Sequence, residues 1–145
     1  MLRSIRSKTG ITMDMIITFP GGYKVNAIYK GFTIETDQPR EDGGDGTAPE
    51  PFSLFLASIG TCAGVYVLRF FHTRKIPTDG LQIKLKTEWD SEKRMLSKII
   101  LELHLPPHFP KKYISAVKSA VDACAVKRHI LNPPEFITDV IIEEG

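Results

Sequence analysis

Between Pro51 and Leu68 the chain runs Pro-Phe-Ser-Leu-Phe-Leu-Ala-Ser-Ile-Gly-Thr-Cys-Ala-Gly-Val-Tyr-Val-Leu without one charged side chain. No other stretch narrows the possible folds as much. A run of this length approaches what a bilayer-spanning helix needs. Ser53, Ser58, Gly60, Thr61 and Gly64 dilute it, and it barely reaches the required length. The expectation is a central helix, apolar around its circumference and covered on all sides by the rest of the fold. Ala57, Gly60 or Thr61, and Gly64 recur at helical spacing as a stripe of small residues. Such a stripe lets a second helix approach closely. Cys62 lies beside it, on a face shared with Ser58, Ile59, Val65 and Tyr66.

A chain of 145 residues is one domain by size and can bury a sizeable core. Its net charge of +2, with no dominant basic cluster, speaks against nucleic acid as a partner. The opening MLRSIRSKTG is basic but has no apolar segment of the kind export signals carry. Residues 1–10 are therefore expected to be a flexible N-terminus and 11–145 a single domain, in a cytoplasmic protein that does not enter a membrane. In that compartment cysteine pairs tend to be catalytic or redox-active rather than structural.

The flanking segments have their own patterns. Ile11 to Phe19 is expected to be a strand, Gly21-Gly22 a turn, and Tyr23 to Tyr29 a second strand. Lys30-Gly31 turns the chain into Phe32 to Thr36, completing an antiparallel meander. Asp37 to Glu50 is dense in Gly, Pro and acidic residues and is expected to be a loop. Pro51 suits a first helical turn, and the basic residues from Arg69 to Lys75 suit its end. Leu81, Ile83 and Leu85 alternate with polar neighbours, as do Ile99, Leu101, Leu103 and Leu105, which predicts a hairpin. From about Pro110, Tyr113, Val117, Ala120, Val121 and Cys124 form a one-sided apolar stripe, so a second helix should pack on the small face of the first. Phe136 to Ile142 is expected to be a last strand. The fold class is then α+β, in the order βββ-α-ββ-α-β. One copy offers too little cover for a helix apolar all round, so a homodimer sharing its core is expected.

Cys62 and Cys124 are the only cysteines. Each lies on the apolar face of an expected helix, which suits a small buried hydrophobe as well as a reactive thiol. Their separation fits neither a C-x-x-C redox motif nor a zinc pair. His72, His104, His108 and His129 make no zinc pattern with each other or with the cysteines, so no metal is expected. Phe52, Phe55, Phe70, Phe71, Tyr66 and Trp89 could line an apolar pocket or simply fill the core.

Gly46-Thr-Ala-Pro-Glu50, then a long uncharged helix with Cys62, then Asp122-Ala-Cys124-Ala-Val, resembles in that order the OsmC/Ohr family of peroxide-detoxifying proteins. The element order matches from about Ile11 to Ile142, and the run from Ala123 to Pro134 looks like the uncharacterised OsmC-like branch. The resemblance implies a central buried helix wrapped by sheets in an intertwined homodimer. It also implies a cysteine peroxidase that needs no cofactor. Cys62 would attack the O–O bond of an organic hydroperoxide or hydrogen peroxide as thiolate. Cys124 would condense with the resulting sulfenic acid to a disulfide, and an external dithiol would reset the pair.

Family members also use an arginine and a glutamate beside the reactive sulfur, and Arg40 and Glu50 are the candidates here. Glu50 stands farther from Cys62 than the glutamate of typical members. A cation matters because an unperturbed thiol, with pKa near 8.5, is only about 3% thiolate at pH 7. It would also stabilise charge on the departing oxygen. Lys24 and Arg128 are the next cations to consider. The alternative reading is a non-catalytic protein of the same fold that binds an apolar small ligand in its dimer cleft.

Overall fold

The computed structural model describes residues 14–145, in two compact units, the first reaching to Leu54 and the second running from Phe55 to Gly145. The expected N-terminal tail and the start of the first strand at Ile11 lie outside the described residues.

The first unit is a meander. β1 (Ile16–Gly21), β2 (Lys24–Tyr29) and β3 (Phe32–Thr36) form an antiparallel sheet in the order β1-β2-β3. Tyr29 pairs with Phe32 across a two-residue loop in which Lys30 and Gly31 both have positive φ, 49° and 81°. That mirror-image turn matches the right-handed twist of its strands, and Gly31 takes it without strain. The loop that follows holds a 3-10 turn at Arg40–Asp42. Its organiser is Asp37, which is 1% exposed. One carboxylate oxygen of Asp37 accepts from the Gln38 N–H at 2.8 Å. The other accepts from the Thr47 N–H at 3.0 Å and the Thr47 hydroxyl at 2.8 Å. A side chain on Gly44 would run into the backbone of Gln38 and the Asp37 carboxylate, so only glycine fits there.

α1 (Pro51–Thr73) starts where the first unit ends and continues through the second. It is long and apolar enough to cross a membrane by composition alone, with a mean hydropathy of 1.7. Yet Ile59, Ala63, Val67, Phe70 and Phe71 are buried as one stripe, which makes it the core helix. In a single chain the cover is partial, as expected of one copy: Phe52, Phe55, Val65 and Leu68 remain exposed. The stripe packs against α2 (Ile114–Asp122), with Val117, Val121 and Cys124 joining Ala63 and Val67 in one cluster. Phe71 stacks on Phe109 at 5.2 Å, and the Arg74 guanidinium lies 3.7 Å over the Phe70 ring.

β4 (Gln82–Asp90) and β5 (Met95–His104) form the hairpin of the second unit, with Ile83 opposite Leu103 and Leu85 opposite Leu101. Cross-strand pairs of Lys86 with Glu102 at 2.6 Å and Lys98 with Glu88 at 2.9 Å mark its wet face. The small stripe of α1 faces this hairpin and not the second helix, a correction to the expected packing. A methyl on Gly60 would lie 3.8 Å from Leu85 Cδ1, and one on Gly64 4.0 Å from Ile83 Cδ1. The strand can come that close because those positions carry no side chain.

Two more expectations change at the C-terminal end. The second helix is interrupted: α2 stops at Asp122, and α3 (Ala125–Leu131) begins after Cys124. The expected strand over Phe136–Ile142 is not formed. Its β-branched and aromatic residues suit a strand, but among the described residues it has no ladder partner, and a lone strand leaves its amides unpaired. Phe136, Ile137, Val140, Ile141 and Ile142 stand exposed instead.

Candidate functional site

Cys62 is carried on α1 one position before the fully buried Ala63, and its own side chain is half-buried. Cys124 reaches it from the break between α2 and α3. There Cys124 takes an extended conformation, φ −52° and ψ 124°, that cannot continue a helix. Its sulfur accepts the Lys127 N–H at 3.5 Å, so the thiol itself caps α3. The same sulfur contacts the Ile59 carbonyl at 3.9 Å and is wholly buried. Across the break, the Lys127 ammonium pairs with Asp122 at 2.7 Å.

A helix start has N–H groups with no partner inside the helix. Here those of Val126 and Ala125 favour the ionised form of Cys62. The Val126 N–H is the largest of several influences that hold the Cys62 thiol below its ordinary pKa. Partial burial works against it, while the Cys124 thiol, the Ala125 N–H and the positive charge of Arg69 add to it. Hydrogen bonds to a thiolate favour the charged form, whereas burial alone would disfavour it. Both cysteines are free thiols, and Cys62 packs against the buried cluster that contains Cys124. The arrangement therefore offers a stabilised nucleophile with a second thiol beside it.

Arg40 and Glu50 belong to the first unit, the cysteines to the second. Arg40 is exposed, and its Nε donates to the Asp45 carbonyl at 3.3 Å. Glu50 accepts from the Ser53 hydroxyl at 3.0 Å, and its backbone carbonyl accepts the Leu54 N–H at 3.3 Å, starting the α1 ladder. Of the reserve cations, Lys24 pairs with Asp45 at 3.5 Å, and Arg128 is exposed in the last turn of α3. The cation that acts on Cys62 is Arg69, near the C-terminal end of α1, where a positive charge also suits the helix end. Its spacing of seven residues from Cys62, two helical turns, was the available signal. The anchoring role of Asp37 left no such signal, since its partner Thr47 lies across the loop. Among the described residues no three of His, Cys, Asp or Glu gather as a metal set would.

A family model described as OsmC-like protein matches residues 44–139, a span holding both cysteines and α1 to α3. The chain belongs to the OsmC-like family. Solved structures agree on the fold. A Psychrobacter arcticus 273-4 protein, whose name refers to osmotic stress induction and detoxification response, superposes with a TM-score of 0.68 at 20% identity, over 83% of this chain and 88% of that one. An OsmC-like protein from Mycoplasma pneumoniae gives 0.64 at 15% identity, over 86% and 91%. An organic hydroperoxide resistance protein OsmC from Legionella pneumophila gives 0.53 at 18%, over 85% and 91%. At these identities the likeness is one of fold. Comparison with curated proteins gives no match.

Proposed function

We propose that this OsmC-like chain is a thiol-dependent peroxidase that reduces organic hydroperoxides or hydrogen peroxide. The Cys62 thiolate attacks the distal peroxide oxygen and the O–O bond breaks. The departing alkoxide takes a proton to leave as alcohol, or as water from hydrogen peroxide. Cys62 is left as sulfenic acid. The Cys124 sulfur then displaces hydroxide from it, forming the Cys62–Cys124 disulfide and releasing water. An external dithiol reduces that disulfide and is itself oxidised. Arg40 and Glu50, which the resemblance pairs with the reactive sulfur, are carried in the proposal as its charged partners, in a cytoplasmic homodimer.

The observation that carries this reading is Cys62 packed against the cluster that holds Cys124, whose sulfur lies 3.9 Å from the carbonyl of Ile59, about one turn before Cys62 on α1, with the Val126 N–H favouring the ionised Cys62. Two cysteines that only fill a core need no such favouring of the charged form. The name of the Legionella pneumophila relative, which refers to organic hydroperoxide resistance, points the same way.

The test is consumption of cumene hydroperoxide with dithiothreitol as reductant. Wild type should turn over, Cys62→Ser should be inert, and Cys124→Ser should lose the disulfide route. Equal consumption by wild type and Cys62→Ser contradicts the proposal. A second reading, binding of an apolar ligand, has one observation in its favour. A groove of about 690 Å³ between β5, α2 and α3 is lined by Leu101, Leu103, Val117, Val121 and Ile130 among others. Slow, unselective oxidation of both thiols together with saturable binding of an apolar dye would favour it.

A further inference from the structure

Cys62, Tyr66 and Arg69 stand at i, i+4 and i+7 on α1 and therefore share one face. Cys62 and Arg69 are about 10.5 Å apart along the axis. Helical side chains lean toward the N-terminus, so the long Arg69 side chain runs back in the direction of Cys62. It does not wander freely, because its guanidinium lies 5.7 Å from the Tyr66 ring centre. The ring and the cation attract each other. Tyr66 thus fills the turn between the sulfur and the charge.

We propose that Arg69, laid back over Tyr66, is a positioning residue whose charge holds Cys62 ready for attack. Among the described residues, the titratable groups that act on Cys62 are Cys124, from the α2–α3 junction, and Arg69, from its own helix. The remaining influences are the Val126 and Ala125 N–H groups. The Lys127 ammonium, nearby in sequence, is taken up by Asp122 at 2.7 Å. Ser58, one turn before Cys62, donates its hydroxyl to the Phe55 carbonyl at 2.6 Å. Arg69 is thus a source of positive charge on the same chain segment as the nucleophile, whatever Arg40 does. The inference deepens the peroxidase reading and rests on it for its purpose, although its test does not.

The experiment is the pH dependence of iodoacetamide alkylation, localised to Cys62 by peptide mass, on full-length wild type, Arg69→Gln, Arg69→Lys and Tyr66→Leu. At low salt Arg69→Gln should move the midpoint upward. It should also slow alkylation at pH 7 about twofold, the effect of a unit charge across ~10 Å of water-like medium. Arg69→Lys should restore most of the rate, and Tyr66→Leu, which frees the guanidinium, should fall between. Salt near ~1 M, where screening acts within about 3 Å, should bring wild type to the Arg69→Gln profile and leave that variant unmoved. Superimposable wild-type and Arg69→Gln profiles at low salt overturn the inference. So does a shift that Arg69→Lys fails to reverse, since that marks a structural effect. Alkylation involves no peroxide. A shifted profile in a protein that consumes no hydroperoxide would refute the peroxidase reading and leave this inference standing.

Discussion

The backbone N–H of Val126 is the strongest influence that favours the ionised form of Cys62. It has no partner inside a helix because α3 begins immediately after Cys124. The Ala125 N–H exerts the same influence to a lesser degree. Ala125→Pro removes that second donor with little damage, since proline is at home in a first helical turn. The residue before it, Cys124, already has the extended ψ of 124° that proline requires of its neighbour. The variant should keep its circular dichroism and shift the Cys62 alkylation midpoint upward. A folded variant with an unchanged midpoint would remove helix-start donors from the account.

Asp37 yields an acid prediction. Its pKa is lowered from 3.8 to about 2, chiefly by the Thr47 N–H, helped by the Thr47 hydroxyl and the Gln38 and Asp45 N–H groups against the cost of burial. A carboxylate with a lowered folded-state pKa contributes stability in full above its unfolded value, and loses it as pH falls through the folded value. The loop from Asp37 to Glu50 should therefore lose protection between about pH 3.8 and 2, read by exchange of the Thr47 amide. Asp37→Asn should weaken protection at neutral pH and remove this acid step. An unaltered step in that variant would assign it to another group.

Phe71 is fully buried and stacked on Phe109. Phe71→Ala should cost roughly 3–5 kcal/mol, since a cavity would open where α1 meets the rest of its unit. Urea denaturation measures it. A loss below about 1 kcal/mol would mean that this cluster is not what stabilises the second unit.

The proposed homodimer follows from exposed apolar surface. Phe55, Val65 and Leu68 on α1 and Phe136, Ile137, Val140, Ile141 and Ile142 near the C-terminus are uncovered. This much exposed apolar side chain is what a partner surface would cover. Wild type should sediment as a dimer, and Leu68→Glu with Ile141→Asp should shift it toward monomer. A stable, soluble wild-type monomer would contradict the proposal.

The elements legible in the sequence were those decided locally. The Lys30-Gly31 turn, the alternation along β4 and β5, and both ends of α1 depend on residues within a few positions of each other. The α2–α3 break was not legible, because no Gly or Pro lies between Ile114 and Leu131 to announce it. It arises from the capping role of the Cys124 sulfur, which a helical wheel sees only as one more apolar position. The small stripe was legible but its partner was not, since Gly60 and Gly64 admit a strand as readily as a helix. The β-branched and aromatic content of Phe136–Ile142 was equally plain, but a strand also needs a neighbour, and that is not written in its own residues. At the site, pairing Cys62 with Cys124 came from a resemblance. The contribution of Arg69 needed the helix face that it shares with Tyr66.

The central claim is that Cys62 and Cys124 act as one redox unit. Its most direct test is peptide mapping under non-reducing conditions after one equivalent of cumene hydroperoxide, with dimedone present to trap sulfenic acid. Wild type should give an intramolecular Cys62–Cys124 disulfide, and Cys124→Ser should give dimedone-labelled Cys62. Two intact thiols in wild type, with the peroxide unconsumed, would contradict the account.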